Sequence, residues 1–435
     1  MSAAASVAAE PAPSWVGLDD FDPAVRKHAL DRVCARAAWP SLSHDVNLHC
    51  HTFFSYNAYG YSPTHLAVLA RAHGLEVAGT VDFDGLESAG EFLAAAGALG
   101  LKAVVSLESR VFVPELADVV VNSPGEPGIV YSMGVGFPGP VDHPFLAMMR
   151  SEAEGRLRDM LERVNPFMRP VELDFERDVL SLTPGGNATE RHLCEAFERR
   201  ARRVFPANAE RASFWQAKLG AAPPEGSALQ SLIRARLLKR GGVGYVQPDG
   251  GSFPLIADLN RVVAECGAIP TLAWLDGTSE GEGDVERLFS VAVTYGIAAL
   301  NIVPDRNYTP GVRDRRLENL EAVVAAAGRY GFPIVVGTEM NAPGNRIVDD
   351  FASAELRPLA PVFERGALIV YGHSALERQS GLGYLGSWAH EAFPSVFARN
   401  DFYAEVGRRV GPAIEDRLQF VSPEMPPEAI LARLG

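Results

Sequence analysis

His49 and His51 sit two residues apart at the end of the run Asp45-Val46-Asn47-Leu48-His49-Cys50-His51. Side chains two apart on a strand point the same way. Two imidazoles on one face can grip a single metal ion, and neutral imidazole is a common ligand for one. Cys50, between them, would face the other side and pack. A His-x-His pair alone is a modest signal, and its surroundings strengthen it. A polar, aromatic loop follows, and then Ser62-Pro63 opens a helix-like segment that Gly74 closes. Serine at the N-cap and proline at the first helical position form a start signal, and glycine forms a stop. The histidines therefore fall where a strand gives way to a loop, the usual place for active sites in α/β folds.

The elements that would position them alternate. A helix over 22–38, capped by Asp22, precedes strands at 45–50, 75–81 and 102–107, with helices at 63–73 and 86–99 between them. This alternation predicts a parallel sheet or barrel. Residues 150–240 instead carry Arg, Glu, Ala and Leu at helical spacing, which predicts an inserted helical subdomain. Strand-like runs return at 268–274, 297–303, 333–339 and 367–373. The resulting division is a tail and helix over 1–44, a first barrel part over 45–148, and a helical insertion over 149–248. A second barrel part over 249–390 and an extension over 391–435 follow. Polar groups recur at strand ends: Asp82 and Asp84, Glu108, Trp274 and Asp276, Asn301, Glu339 and Asn341, and His373. A parallel barrel gathers such residues at one mouth.

Bulk properties narrow the function classes. The chain has 435 residues and a net charge of −14, with 47% hydrophobic and 22% charged residues. An acidic chain of this kind is a poor candidate for duplex nucleic acid or anionic membranes, which need basic surface. A small-molecule substrate is expected, and a homo-oligomer is compatible with the sequence. Cys34, Cys50, Cys194 and Cys266 form no CxxC pair, which predicts reduced thiols in a cytoplasmic protein. No apolar run reaches about 18 residues, so no membrane span is expected. MSAAASVAAEPAPS at the N-terminus lacks the pattern of a signal peptide and reads as a disordered tail.

Four segments resemble the polymerase and histidinol phosphatase (PHP) family of metal-dependent phosphoesterases: HCHT (49–52), VDFDGLESAG (81–90), SLE (106–108) and GTEMNAPG (337–344). ERHLCEAF (190–197) is similar to an Arg-His segment in the helical insertion of that family's nucleotide-phosphatase branch. The resemblance implies a distorted, TIM-like (β/α)7 barrel with an inserted helical subdomain. It also implies strand-end residues that hold divalent metals and activate water against a phosphate ester. His49, His51, Glu108 and Glu339 match family ligands. Two imidazoles and two carboxylates suit one or two ions of Zn, Mn or Fe. Asp82 and His143 are candidates for a second ion or its surroundings.

The departures from the family pattern are specific. Phe83 replaces the histidine of TDHD, Asn341 replaces that of GSD-x-H, Tyr56 and Asn57 follow Ser55, and Trp274-Leu275 stands in for His-Pro. The changes at 56, 83 and 341 fall on residues that together hold one metal in the family, so a reduced site is expected. The leading functional expectation is a hydrolase of a small phosphate ester. Asp82 and His373 are candidates for acid or base, and His192 for a catalytic or anion-holding role. Arg191 and Arg306 would hold an anion, with Tyr56, Asn57, Asn301 and Asn341 as further substrate contacts. One alternative is a single-metal lyase, isomerase or glycoside-cleaving enzyme on a sugar-like substrate. A non-catalytic ligand-binding descendant is the other.

Overall fold

Strands buried on both faces read as continuous apolar runs, and that is how this chain builds its sheet. The computed structural model describes residues 15–224, 227–248, 251–308 and 313–435. The tail expected over 1–14 lies outside the described residues. Among the described residues the strands are β1 (Val46–Cys50), β2 (Val77–Phe83), β3 (Lys102–Phe112), β4 (Ile129–Val135), β5 (Ile269–Trp274), β6 (Ala299–Ile302) and β7 (Ile334–Val336). They pair in sequence order. A parallel bridge between Cys50 and Glu339 brings β1 back beside the chain leaving β7, so the barrel is nearly closed. The expected TIM-like barrel is therefore present. Its distortion is β4, which runs antiparallel to both β3 and β5, whereas the other pairings are parallel.

Closure at β1 depends on one glycine. A Cβ on Gly337 would run into the His49 amide nitrogen and the Asn47 side chain. The two chains approach closely enough for the Glu339 amide to donate to His49 O (2.7 Å) and the His51 amide to Glu339 O (2.8 Å). The helices begin where their caps predict. Asp22 caps Pro23–Arg36 and Ser62 caps Pro63–Ala72, each with proline inside the first turn.

The run at 367–373 is not a strand. It lies within a helix spanning Ala360–Ser380, buried on nearly every side. A short apolar run cannot separate a buried strand from a buried helix by periodicity alone. The deciding feature is close packing: a Cβ on Gly366 would meet the Ile334 backbone, and one on Gly372 the Tyr403 carbonyl. The strand that completes the barrel is instead β4, whose Ser132 and Gly134 interrupt its apolar pattern.

His373 consequently sits on a helix, and not at the barrel mouth. It is 2% exposed, and its Nδ1 accepts from the Tyr384 amide at 2.9 Å. It packs against Gly136, which follows the downward strand β4, so it lies at the floor of the barrel. Burial lowers its pKa to about 4. The unfolded chain takes up this proton near pH 6.5 and the folded chain only near 4, so stability falls as pH drops between these values. At about 1.4 kcal/mol per pH unit, the loss is roughly 3 kcal/mol. Denaturant midpoints at neutral pH and near pH 5 should show about 2 kcal/mol of it, and His373→Asn, which keeps an acceptor for Tyr384, should reduce it. An unchanged pH slope in that variant would refute this assignment.

Residues of the helical region form an apolar cluster of their own, centred on Leu161, Val164, Leu193, Phe197, Trp215 and Ile233. Its principal helices are Pro144–Met168, Glu190–Val204 and Asn208–Leu219. Among the described residues, no helix is long and apolar enough to cross a membrane.

Candidate metal centre

β1, the residue that follows it and β3 deliver three side chains to one point at the barrel mouth. His49 Nε2 lies 3.6 Å and His51 Nε2 3.4 Å from Glu108 Oε2, and all three residues are at least 95% buried. Their neighbours set the proton positions. Asn301 holds its amide toward Val335 O, so its Oδ1 accepts from His49 Nδ1 at 3.1 Å. Ser55 Oγ donates to Asp82 at 2.6 Å, so the same oxygen accepts from His51 Nδ1 at 3.3 Å. With Nδ1 protonated in both rings, each Nε2 presents a lone pair. Neither Nε2 has a hydrogen-bond partner. Three buried acceptors thus face one another with no donor between them, which is costly unless a cation or a proton joins them. The ligand atoms lie within 4.8 Å of one another, a group that could hold a metal ion. The donor set of two imidazoles and a carboxylate fits a divalent transition metal.

The electrostatics describe the other possible occupant, a proton. Burial by itself would raise the Glu108 pKa, but His49 and His51, when they carry a proton toward it, hold the carboxyl down at about 2. Burial opposes charge on His49 as well, yet Glu108 and Glu339 raise its pKa. The Phe83 ring stacks on His51 at 4.6 Å.

Asp82 is wholly buried and accepts from the Thr52 amide (2.9 Å), Thr52 Oγ1 (2.9 Å) and Ser55 Oγ (2.6 Å). It therefore orients His51 through Ser55. Asn57 ties its loop together, donating to His51 O and accepting from the Tyr59 and Tyr61 amides. Asn301 acts on His49 in the same indirect manner.

Beside the centre opens a cavity of about 480 Å³. From the barrel, Tyr56, Phe83, Glu108, Arg306, Glu339 and Asn341 line it; from the helical region, Arg156, Glu190, Arg191, Arg234 and Lys239 do so. Among the described residues, seven cationic side chains line it against five carboxylates. Glu190 is a hub: its carboxylate meets Arg234 (2.7 Å), Lys239 (2.9 Å) and Arg110 (3.9 Å). Burial raises its pKa, but these cations bring it down to about 2.

The chain is similar in structure to an amidohydrolase from Chromobacterium violaceum with bound sulfate and no metal. The TM-score is 0.50 at 18% identity, over 74% of this chain and 96% of that one. It is also similar to a protein from Bifidobacterium adolescentis described as a metal-dependent phosphoesterase, with TM-score 0.47 and 17% identity over 75% of this chain and 98% of that one. The likeness is one of fold. No protein-family model matches the chain, and no curated protein sequence does.

The predicted residues fall into three groups. His49, His51 and Glu108 come together, and Tyr56, Arg191, Arg306, Glu339 and Asn341 line the adjoining cavity. Asp82, Asn57 and Asn301 stand behind them. His192, His373 and His143 are not brought to the cluster. His192 is buried and caps its own helix, its Nδ1 accepting from the Thr189 amide at 3.0 Å, and burial lowers its pKa to about 3. His143 caps the helix Pro144–Met168 by accepting from the Phe145 amide at 3.1 Å.

Sequence reasoning missed Arg110. It lies two residues beyond Glu108 and on the same face of β3, so the spacing that singled out the histidines would have found it. The strand was expected to end at 107 but continues to Phe112. Arg156, Arg234 and Lys239 carried no local signal.

Proposed function

We propose that this chain is a metal-dependent hydrolase of a small phosphate ester. The carrying observation is the convergence of His49 Nε2, His51 Nε2 and the Glu108 carboxylate without a donor between them. These residues would hold the cation, as the resemblance to PHP phosphoesterases also implies. A divalent cation there supplies Lewis-acid polarisation of a phosphoryl oxygen and a water acidic enough to lose its proton near neutral pH.

The chain's own residues supply the rest. Asn301 and the Asp82–Ser55 pair fix the two imidazole tautomers, a role that commonly governs metal affinity. The guanidinium groups at the cavity wall would receive the anionic oxygens of the substrate, since Arg forms bidentate contacts to phosphate. Concentrating cations at one cavity of a chain with net charge −14 favours an anionic substrate over a neutral sugar. Tyr56 and Asn341 offer polar contacts to the remainder of the molecule. The segment 149–248 acts in this reading as an insertion that covers the mouth and restricts the substrate to small molecules.

The test is phosphate release from a panel of phosphomonoesters by purified protein. Release should stop after treatment with a chelator and return with Mn2+ or Zn2+. Absence of release from every ester by the metal-loaded protein would defeat the proposal.

A further inference from the structure

Glu339 sits next to the three-residue centre but takes no part in it. Its backbone is locked to β1 in both directions (2.7 and 2.8 Å). It adopts φ 61°, and Met340 after it φ 56°. Two consecutive non-glycine residues in the left-handed region are strained, at roughly 1–2 kcal/mol each. The strain places a buried carboxylate, 8% exposed, at the cavity beside His49. A second carboxylate coupled to Glu108 adds negative charge that needs a counter-charge, which a second divalent ion could supply. Here Arg306 takes that place: its Nη2 lies 2.9 and 2.8 Å from the two Glu339 oxygens.

Arg306 is firmly based. It belongs to a short helix, Asp305–Tyr308, that follows β6. Asn307 anchors this helix by donating to Leu275 O and Val303 O, and Arg316 donates to Arg306 O. Nevertheless, 41% of the Arg306 side chain is accessible, and it faces the cavity. The guanidinium is therefore a fixed cation with one flank on Glu339 and another toward incoming substrate.

We propose that Arg306 replaces a second metal ion: it neutralises Glu339, limits the centre to one divalent cation, and presents its outward N–H groups to an anionic oxygen of the substrate. This rests on the reading of His49, His51 and Glu108 as a cation site. The charge balance supports it. Two carboxylates and two neutral imidazoles carry −2, which a single dication only balances, leaving no net charge to draw an anion. The guanidinium reduces this to −1, which one dication over-compensates, leaving a net positive site for an anion. Unlike a metal, the guanidinium neither exchanges nor yields to a chelator, and it keeps its charge across the working pH range.

The experiment counts Mn2+ bound per chain by calorimetric titration and by mass spectrometry of the dialysed protein. All variants carry His44→Ala, so that the exposed His44, Glu76 and Glu364 group does not contribute. The parent should bind one ion, Arg306→Met two, and the charge-balanced pair Arg306→Met with Glu339→Gln one again. Two ions on the parent, or one on Arg306→Met, would overturn the replacement while leaving the cation site standing. Should Arg306→Met not fold, the double variant decides: one ion supports the proposal, and none overturns it by showing Glu339 to be a required ligand. No ion on the parent would remove both this inference and the cation site beneath it.

Discussion

Glu108→Gln is expected to strip the divalent cation from the protein and to lower phosphate release by at least about 100-fold. Changes that merely disturb the groups behind a ligand already cost about 10- to 100-fold in affinity or activity. Glu108 supplies the only negative charge among the three converging groups. The amide offers no charge, and it can donate a hydrogen bond to an imidazole nitrogen. The variant should therefore fold as well as the parent, because it relieves the mutual repulsion of three acceptors. Metal content, phosphate release and denaturant midpoint, measured on one preparation, separate these effects. Retention of both metal and activity would eliminate Glu108 as a ligand.

Glu190→Ala is expected to destabilise the helical region by about 3 kcal/mol. Removing one partner from a buried ion pair typically costs 3–5 kcal/mol, because the opposite charge stays behind uncompensated. Here three cations converge on one carboxylate that is 8% exposed. The cations themselves keep 20–32% of their side-chain surface accessible, so water recovers part of the cost and the lower figure applies. Urea unfolding monitored by tryptophan fluorescence would follow the change, since Trp215 lies in the helical cluster. A midpoint equal to that of the parent would mean that water already solvates the three cations. Because the same cations line the cavity, the variant should also weaken discrimination between phosphate esters.

The legible part of this molecule was local. The histidine pair, the caps at Asp22 and Ser62, and the apolar strands all follow from residue type and spacing over a few positions. The barrel class follows from their alternation. What escaped depends on distance through space. β4 was invisible because its serine and glycine break the apolar pattern, and the helix Ala360–Ser380 resembled a strand because burial on all sides erases amphipathic periodicity. The ionic wall of the cavity joins β3 to two separate stretches of the helical region, and no spacing rule links residue 110 to residues 190, 234 and 239. The partnership of Arg306 with Glu339 is of the same kind. Both residues drew notice singly, but the sequence did not pair them.

The reversed direction of β4 has a consequence for how such a molecule can change. Val135 and Ile269 are register partners on neighbouring antiparallel strands. Neighbours of that kind can be joined by a turn of two residues. The whole excursion between them starts and finishes at the same rim, on the side away from the chemistry. Its middle, between the barrel-core residues Met149 and Ile256, can therefore lengthen, shrink or be exchanged for another without rethreading a single strand, leaving the cavity wall free to drift while the three converging groups stay as they are.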